Sequence, residues 1–495
     1  MLLRDLVSAV TAVEGPDEAV PEPRGLPALA VGPLLIVLVL KCGLTLAFAG
    51  RYGWQRDELY YAVAGRHLQG GYVEFPPVTA LLSAAARLLF GWSLVGFRVF
   101  PVLAGAATIL LAALVARELG GDRKAQTLAA ALVAFSPILL ATNGLFQPVS
   151  FDQTATMLVL WLALRLALGR GSWLALGVAV GVGLETKYTL AVVLVLLVAG
   201  FAIWRRDVLL SRGLVLAVAV AAVLLAPNLV WEAGHGWISV HWFLHPPGSA
   251  SDESRPQYLV DFLLQTNPFA VPVAVAGVVT LLRDRRLRPV GAAVAAVPIV
   301  YFVLGGKSYY AMPAVFFALA AGSVPVVGWL TRRRFAALAL GYAAVFVVAL
   351  PQVVPVYPLH SAIRRGVVKA RTDYQDELGW PALAAQVGRL ARGADVVVAR
   401  NYGEAGALEL FGHGLPPVAS TDVTFRYWRP EVAGDRAALI GFSGRRAAAF
   451  CRGYRRLGSI AMPTANEERG LPIAACTLKS TLAADWPEIQ RATGP

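Results

Sequence analysis

Long apolar runs separated by short polar loops occupy most of the first 355 residues of this chain. The runs are about 17 to 25 residues long, the length of a helix that crosses the hydrocarbon core of a bilayer. Roughly eleven of them predict transmembrane spans, and residues 78–90 are either a short further span or an interfacial helix. The predicted spans are 28–49, 95–116, 126–146, 152–168, 173–186, 189–204, 213–231, 268–282, 290–304, 308–329 and 335–354. The pattern therefore predicts an all-α polytopic membrane domain of about 11–13 transmembrane helices.

The pattern changes after the last span. Short β-like runs at 395–399 and 437–442, a helical pattern at 380–392 and frequent Gly and Pro predict a small α/β or α+β soluble domain. We therefore divide the chain into a disordered cytoplasmic segment (1–27), a transmembrane domain (28–357) with its outer loop 50–77, and an extracytoplasmic C-terminal domain (358–495).

Loop charges orient the predicted helices. If the first span runs outward and residues 78–90 do not cross, every strongly basic cluster falls on one side of the membrane, as the positive-inside rule requires. These clusters are 117–124, 165–170, 205–212, 283–288 and 332–334. Loop 50–77, loop 231–267 and the tail then lie outside the cytoplasm, in a multi-pass protein of the inner or plasma membrane.

Composition supports this assignment. Hydrophobic residues make up 57% of the 495 residues, and the formal net charge of +13 is explained by loop clusters without any nucleic-acid partner. Of the three cysteines, Cys42 lies in the first apolar run. Cys451 and Cys476 lie in the tail, where a disulfide and two free buried thiols are both compatible with the sequence.

Loop 50–77 carries the carboxylates Asp57, Glu58 and Glu74 beside the membrane, where an unpaired charge is costly. A carboxylate there can take a proton from an acceptor hydroxyl during group transfer, and we favour Asp57 as that base, with Glu74 as a second acceptor-side or structural carboxylate. Asp57 and Glu58 are adjacent and cannot share a helix face, so at most one faces a cavity with Glu74. The alternative is that Asp57 or Glu58 forms a structural ion pair with a nearby arginine.

Charged and aromatic residues also mark the outer ends of later spans. Lys187 and Lys307 either extend to the interface or bind an anionic phosphate, and Tyr309 and Tyr310 either join an interfacial aromatic belt or line the same site. Asp152 lies at the start of a span, where we favour a helix cap over a place in a cavity.

Loop 231–267 contains His235, His241 and His245. A metal site usually needs a more compact set of ligands, so we predict no metal and favour a mobile loop over the site. Arg255 in this loop is a candidate for contact with a donor phosphate.

Five short motifs follow one another along residues 56–313. They are RDELYY (56–61), GYVEFPP (71–77), FDQ (151–153), LETKYT (184–189) and GKSYYAMP (306–313). Over about residues 28–355 the chain resembles the GT-C membrane glycosyltransferases, in particular the group of protein O-mannosyltransferases and lipid A aminoarabinose transferases (glycosyltransferase family 39-like).

The resemblance implies transfer of a hexose or pentose from a polyprenyl-phosphate carrier to a lipid, glycan or protein acceptor of the cell envelope, with inversion at the anomeric carbon. It matches the family's Asp-Glu pair to Asp57 and Glu58, a later carboxylate to Glu74, and a late lysine to Lys307. The donor is a lipid-linked sugar rather than a nucleotide sugar, and a divalent metal is not clearly implied. Aminoarabinose transferases carry Lys where this chain has Phe75, which leaves the acceptor and the manner of phosphate binding open.

The rival hypothesis is a transporter or flippase of a lipid-linked sugar that performs no chemistry. Transporters tend to have broken helices near the bilayer midplane and paired internal repeats. The charged residues of this chain gather at one face instead, which favours an enzyme.

Overall fold

The structure, a computed structural model, describes residues 25–244, 253–464 and 466–493. Nearly all of the predicted disordered segment, and His245, lie outside the described residues. The chain forms two compact units. The membrane unit comprises Arg98–Val230 with the described parts of Met1–Ala49 and Ser249–Val356, and the loop-and-tail unit comprises Gly50–Phe97, the described part of Trp231–Gly248, and the described part of Tyr357–Pro495.

Helices make up nearly all of the membrane unit and recur through the other. In chain order the α-helices are α1 Val31–Phe48, α2 Arg56–Ala64, α3 Val78–Phe90, α4 Leu94–Glu118, α5 Arg123–Ala134, α6 Pro137–Asn143, α7 Pro148–Ala167, α8 Trp173–Leu184, α9 Leu190–Trp204, α10 Arg206–Leu209, α11 Arg212–Gly234, α12 Ile238–Leu244, α13 Arg255–Thr266, α14 Val271–Arg283, α15 Arg288–Leu304, α16 Met312–Trp329, α17 Arg332–Val353, α18 Leu359–Arg364, α19 Val367–Ala370, α20 Thr372–Gln375, α21 Trp380–Leu390, α22 Tyr402–Phe411, α23 Gly444–Ala447 and α24 Leu482–Thr493. Two 3₁₀ helices span Ser308–Ala311 and Val423–Tyr427. The strands are β1 Val396–Ala399, β2 Val418–Ser420, β3 Arg436–Ile440, β4 Cys451–Ser459 and β5 Pro472–Leu478.

Helices occupy every predicted span position. Among the described residues, five are long and apolar enough to cross a bilayer: α1, α4, α11, α17, and α16 with the 3₁₀ turn before it. The count reaches seven if the bent pairs α5–α6, at 60°, and α13–α14, at 91°, are single spans. Helices α8, α9 and α15 are apolar but shorter, which is compatible with a membrane domain whose helices pack against one another. The predicted fold class is confirmed.

Close helix packing in the membrane unit depends on small residues. A Cβ on Gly277 of α14 would lie 1.9 Å from the carbonyl oxygen of Ala318 in α16, and a Cβ on Gly322 would lie 1.8 Å from that of Val273. Glycine at these positions lets the two backbones touch, as in other membrane helix pairs. The core of the unit is therefore formed by α16 and its neighbours.

The loop-and-tail unit contains a five-stranded sheet of order β2-β1-β3-β5-β4. β1 pairs in parallel with β2 and β3, whereas β5 pairs antiparallel with β3 and β4. Cys451 and Cys476 form a disulfide between the neighbouring strands β4 and β5. The strands and helix predicted for the tail are confirmed, and the question left open for its two cysteines is answered.

The short helix α3 belongs to the same unit as the tail. It has 13 residues, and its apolar side chains Leu81, Leu88 and Leu89 are exposed. Thirteen residues are too few to cross a bilayer unaided. Of the two interpretations of residues 78–90, the interfacial helix fits the structure better.

Candidate active site

The carboxylates of α2 diverge because of how the helix begins. Gln55 caps the helix: its side-chain oxygen accepts from the Asp57 N–H at 2.7 Å, and Glu58 Oε2 accepts from the Gln55 N–H at 2.9 Å. This reciprocal pair is a capping box. Glu58 is fully buried and its carboxylate caps the helix, a structural contact; its catalytic role stays a prediction.

Asp57 points the other way, toward α22 of the tail. Its Oδ1 accepts a hydrogen bond from the Tyr402 hydroxyl at 2.7 Å. The guanidinium of Arg56 lies 4.8 Å from the centroid of the Tyr402 ring. Burial and the Asp57 charge raise the pKa of Tyr402, so its hydroxyl stays protonated and continues to donate.

The arginines of the loop form ion pairs with the tail. Arg56 lies 2.7 Å from Glu467 and 3.7 Å from Glu468, and Arg66 lies 2.8 Å from Glu409. These two arginines are therefore engaged by tail glutamates.

Glu74 lies in a pocket of neutral hydrogen-bond donors. The hydroxyl of Tyr60 donates to Glu74 Oε2 at 2.8 Å, and that of Thr424 lies 3.3 Å from the same oxygen. Burial, reinforced by the nearby charge of Asp422, raises the pKa of Glu74 to about 8. The carboxyl group is therefore mostly protonated at neutral pH.

Aromatic rings connect the two carboxylate positions. The ring of Tyr60 lies 5.3 Å from that of Tyr402, 5.8 Å from Phe425 and 6.1 Å from Trp428, measured between centroids. The ring of Phe75 lies 5.5 Å from Tyr60. The indole N–H of Trp428 has no hydrogen-bond partner in the described part of the chain. Tyr60, Phe75 and Phe425 are buried, so these rings form a largely buried aromatic cluster in contact with both carboxylates.

A close approach of two helices holds this arrangement together. A Cβ on Gly406 of α22 would lie 3.0 Å from both the Cβ and the carbonyl carbon of Leu59 in α2. Only glycine fits there without displacement of one helix. The close packing fixes Tyr402 against Asp57, although 345 positions separate them in the sequence.

The lysine candidates lie in the membrane unit. Lys187 Nζ lies 4.6 Å from the centroid of the Tyr310 ring and 5.5 Å from that of Tyr309, and Lys307 Nζ lies 6.0 Å from the Tyr309 ring. The structure therefore brings four predicted residues together. Among the described residues Lys307 forms no ion pair, so its charge is available to a ligand.

Asp152 corrects the sequence analysis. The N-cap of α7 is Gln147 rather than Asp152, which lies inside the helix and is buried. Asp152 Oδ2 accepts from Thr189 Oγ1 at 3.0 Å. Asp152 also interacts electrostatically with Lys187. Through Lys187, the Asp152 carboxylate interacts with the group formed by Lys187, Lys307, Tyr309 and Tyr310. Its hydrogen bond with Thr189 orients that side chain.

Arg255 is held at the end of α15. Its Nη2 donates to the carbonyl oxygen of Val303 at 2.8 Å, and its guanidinium lies 5.5 Å from the centroid of the Phe302 ring. Gln265 Nε2 donates to Ser308 Oγ at 3.0 Å, in the 3₁₀ turn that follows Lys307. The other N–H groups of the Arg255 guanidinium are donors that suit an anionic ligand.

The segment predicted as a mobile loop is largely helical where the structure describes it, in α11, α12 and α13. His235 stacks on Trp231 with 4.0 Å between ring centroids. Among the described residues, no group of three or more His, Cys, Asp and Glu is placed to hold a metal ion. His235 therefore has aromatic surroundings.

Sequence analysis overlooked Lys41 in the first span. It is fully buried, and its Nζ donates to Asn143 Oδ1 at 2.9 Å. A lysine in the middle of an apolar run was the available signal, since such residues are rare and usually functional. The contacts of Tyr60 and Thr424 with Glu74 had no comparable signal, because Thr424 lies 350 positions from Glu74.

Comparison with known proteins places these features in context. Residues 74–231 match the family described as dolichyl-phosphate-mannose-protein mannosyltransferase. An undecaprenyl phosphate-alpha-4-amino-4-deoxy-L-arabinose arabinosyl transferase of Pseudomonas aeruginosa is 28% identical over 300 residues, covering 55% of this chain and 52% of that protein. A Pseudomonas fluorescens protein of the same description is 29% identical over 325 residues, covering 59% and 55%. The chain spans about half the length of the curated relatives it matches.

Solved structures extend the similarity across nearly the whole fold. ArnT from Cupriavidus metallidurans bound to undecaprenyl phosphate aligns with a TM-score of 0.61 at 16% identity, covering 91% of this chain and 98% of that one. The chain therefore shares the GT-C fold of this solved structure. The mycobacterial arabinofuranosyltransferase AftD aligns with a TM-score of 0.50 at 16% identity, covering 90% of this chain and 41% of that one. The matched residues 74–231 include the site candidates Glu74 and Lys187 and exclude Asp57 and Lys307.

Proposed function

We propose that this protein is a membrane glycosyltransferase that moves a sugar from a polyprenyl-phosphate carrier to an acceptor hydroxyl or amine of the cell envelope. The observation that carries the proposal is the placement of Asp57 and Glu74 around one aromatic cluster, each in contact with a tyrosine hydroxyl. The printed description of the curated relatives, which names an undecaprenyl phosphate-linked pentose, supports the donor class.

Asp57 is the proposed general base. It accepts the proton of the attacking acceptor group while the acceptor heteroatom forms a bond to the anomeric carbon of the sugar. The bond between that carbon and the phosphate oxygen breaks, and its electron pair leaves with the polyprenyl phosphate. One such displacement inverts the anomeric carbon, and a pentose or a hexose fits the same scheme.

Glu74 is the proposed acceptor-side partner. A carboxyl group whose pKa is about 8 carries a proton at neutral pH, so it can both donate and accept hydrogen bonds to the acceptor. We assign it an orienting role, because a protonated carboxyl cannot remove the proton itself. The free indole N–H of Trp428 is a further donor for the same ligand.

Lys187 and Lys307 are the proposed ligands of the donor phosphate. A departing phosphate monoester is anionic, and two ammonium groups stabilise the charge that develops on it. The rings of Tyr309 and Tyr310 hold the lysine ends by cation–π contacts. Arg255 is a third candidate cation for this phosphate.

We place the tail outside the cytoplasm. The disulfide between Cys451 and Cys476 supports this orientation, because cytoplasmic thiols are kept reduced in most organisms. The basic loop clusters all fall on the predicted side opposite the tail, and the positive-inside rule assigns that side to the cytoplasm.

The test is incubation of the purified protein with a panel of polyprenyl-phosphate sugars, with released polyprenyl phosphate measured by mass spectrometry. A glycosyltransferase releases the carrier phosphate in the presence of acceptor, and the Asp57→Asn variant does not. A flippase moves the intact lipid-linked sugar between leaflets and releases nothing. Absence of release across the panel, with intact donor moved between leaflets, would overturn the proposal.

A further inference from the structure

A ligand-sized space lies in the membrane unit, between α5 and α17. It is an apolar groove of about 890 Å³, within the size range of about 300–1,000 Å³ that is usual for small-molecule sites. Leu132 and Phe135 line one wall, and Phe335 and Ala339 line the other. No candidate residue for sugar transfer contributes to it.

The groove exists because α17 packs loosely. Tyr342 is the one buried side chain of this helix, and its hydroxyl donates to the Leu132 carbonyl oxygen at 2.7 Å. The ring centroids of Phe135 and Phe346 lie 5.6 Å apart. The remaining side chains of α17 are half-buried or exposed, and the helix contacts Leu132 through Tyr342 near its middle.

One end of the groove is basic. Arg123, Lys124 and Arg332 line it, and all three are exposed. None of them forms an ion pair with any residue that the structure describes. Asp122 also lines this end, but its Oδ1 accepts from the Ala125 N–H at 2.9 Å as the cap of α5, so this carboxylate is used within the helix.

We propose that this groove binds an anionic phospholipid, with an acyl chain along the apolar walls and the headgroup phosphate among the three basic side chains. Walls of this composition offer water few hydrogen-bond partners, so a hydrocarbon chain is the occupant that a membrane supplies. Basic pockets between membrane helices on the cytoplasmic side are typical sites for anionic headgroups. The positive-inside pattern places this end of the groove on that side.

This site is separate from the proposed donor-phosphate site. Lys307 precedes α16 and Arg332 follows it, and the 18 residues of that helix span about 27 Å at about 1.5 Å per residue. The two sets of cations therefore lie near opposite ends of a membrane helix. The inference does not depend on the proposed sugar transfer.

The experiment measures lipid retention by native mass spectrometry on the purified full chain. Delipidated protein is titrated with phosphatidylglycerol and, separately, with zwitterionic phosphatidylcholine. The headgroup variant carries Arg123→Gln, Lys124→Gln and Arg332→Gln. Its matched control removes three basic residues of the same predicted face that do not line the groove, Arg206→Gln, Arg212→Gln and Arg285→Gln.

A second pair of variants tests the acyl-chain part. Ala339→Trp fills the groove from α17, whereas Ala337→Trp adds the same bulk to the same helix away from the groove. Size-exclusion chromatography confirms that each variant is folded and monodisperse before titration. This pair keeps the test informative if the triple variant does not fold.

The wild type is expected to retain phosphatidylglycerol in preference to phosphatidylcholine. Each basic side chain near an anionic headgroup contributes roughly fivefold to binding, so the headgroup variant is expected to bind phosphatidylglycerol up to about a hundredfold more weakly. Ala339→Trp is expected to lose retention, and both controls are expected to match the wild type. Equal retention of the two lipids, or unchanged retention in the headgroup variant and in Ala339→Trp, would overturn the proposal.

Discussion

The hydroxyl of Tyr402 donates a hydrogen bond of 2.7 Å to the carboxylate of Asp57. Asp57 comes from the first outer loop and Tyr402 from the first turn of a helix in the C-terminal tail. The tail therefore completes the surroundings of the proposed base. In the proposed mechanism, this relationship gives the tail a part in positioning the base.

Asp57→Asn is expected to remove transfer while expression and folding are retained. Loss of a general base costs about 10²–10⁴ in rate, and asparagine keeps the shape and the hydrogen bond from Tyr402. The measurement is kcat for release of polyprenyl phosphate. Unchanged kcat in this variant would remove Asp57 as the base.

Tyr402→Phe is expected to lower kcat about tenfold and to leave the KM for the donor unchanged, because it removes one hydrogen bond to a charged group. Tyr454→Phe is the matched control, since Tyr454 donates to the Phe442 carbonyl oxygen elsewhere in the same unit. An equal loss in both variants would indicate a general effect on stability rather than positioning of Asp57.

The raised pKa of Glu74 predicts that the stability of the protein depends on pH. The pKa of this carboxyl is about 8 in the folded protein, above the ordinary value for an unfolded glutamate of about 4.3. Between these two pKa values, the Glu74 carboxyl binds more protons in the folded state than in the unfolded state. The free energy of unfolding therefore falls as pH rises through this window, and Glu74 contributes no further change above about pH 8. Glu74→Gln mimics the protonated form and is expected to remove this slope.

The dependence of enzyme activity on pH gives a second measurement of the ionisation of Glu74. The wild type is expected to lose activity as pH passes through about 8, whereas Glu74→Gln is expected to stay within about tenfold of the neutral-pH rate and to lack this fall. Glu431→Gln, at an exposed position of the tail, is the control. A complete loss of activity in Glu74→Gln at every pH would instead make Glu74 the essential base.

Lys187 and Lys307 are expected to act on the donor. Replacement of either by Gln removes a charged hydrogen-bond donor to phosphate, which corresponds to about a ten- to hundredfold rise in donor KM. Arginine at the same position is expected to restore part of the loss. Lys369→Gln, an exposed lysine of the tail, is expected to leave KM unchanged, and an equal effect there would count against the assignment.

A pair of glycine variants tests the packing that brings Tyr402 to Asp57. Gly406→Ala places a Cβ 3.0 Å from Leu59 and is expected to destabilise the protein by about 1–3 kcal/mol through overpacking, with a fall in kcat. Gly388→Ala adds a Cβ whose nearest neighbour is 3.8 Å away. It is expected to be neutral or to stabilise α21 by about 0.5–1 kcal/mol. Thermal denaturation and kcat of the two variants are compared, and equal effects would contradict the packing argument.

The disulfide is expected to stabilise the tail. Cys451 and Cys476 enclose a sequence separation of 25, and replacement of both by Ala is expected to lower the free energy of unfolding by about 2–4 kcal/mol. Reduction of the wild type is expected to release two further thiols in a thiol titration of the unfolded chain. Cys42→Ala is the control for the free cysteine, and detection of three thiols without reductant would show that the bond is absent.

The sequence by itself determined the membrane fold, and it predicted an orientation. Apolar runs and basic clusters are local features, since insertion depends on the free energy of each segment and on the charge beside it. The motif containing Asp57 and Glu58 also indicated the loop in which we propose the base. The strands and the helix of the tail followed from short-range patterns in the same way.

Only the tertiary structure decided the surroundings of each of these carboxylates. Glu58 is a cap because Gln55 begins the helix, and Asp57 meets a tyrosine that the chain supplies 345 residues later. The raised pKa of Glu74 arises from burial among residues of the loop and the tail together. Such contacts depend on the packing of segments distant in sequence, and local hydrophobic periodicity carries no information about them.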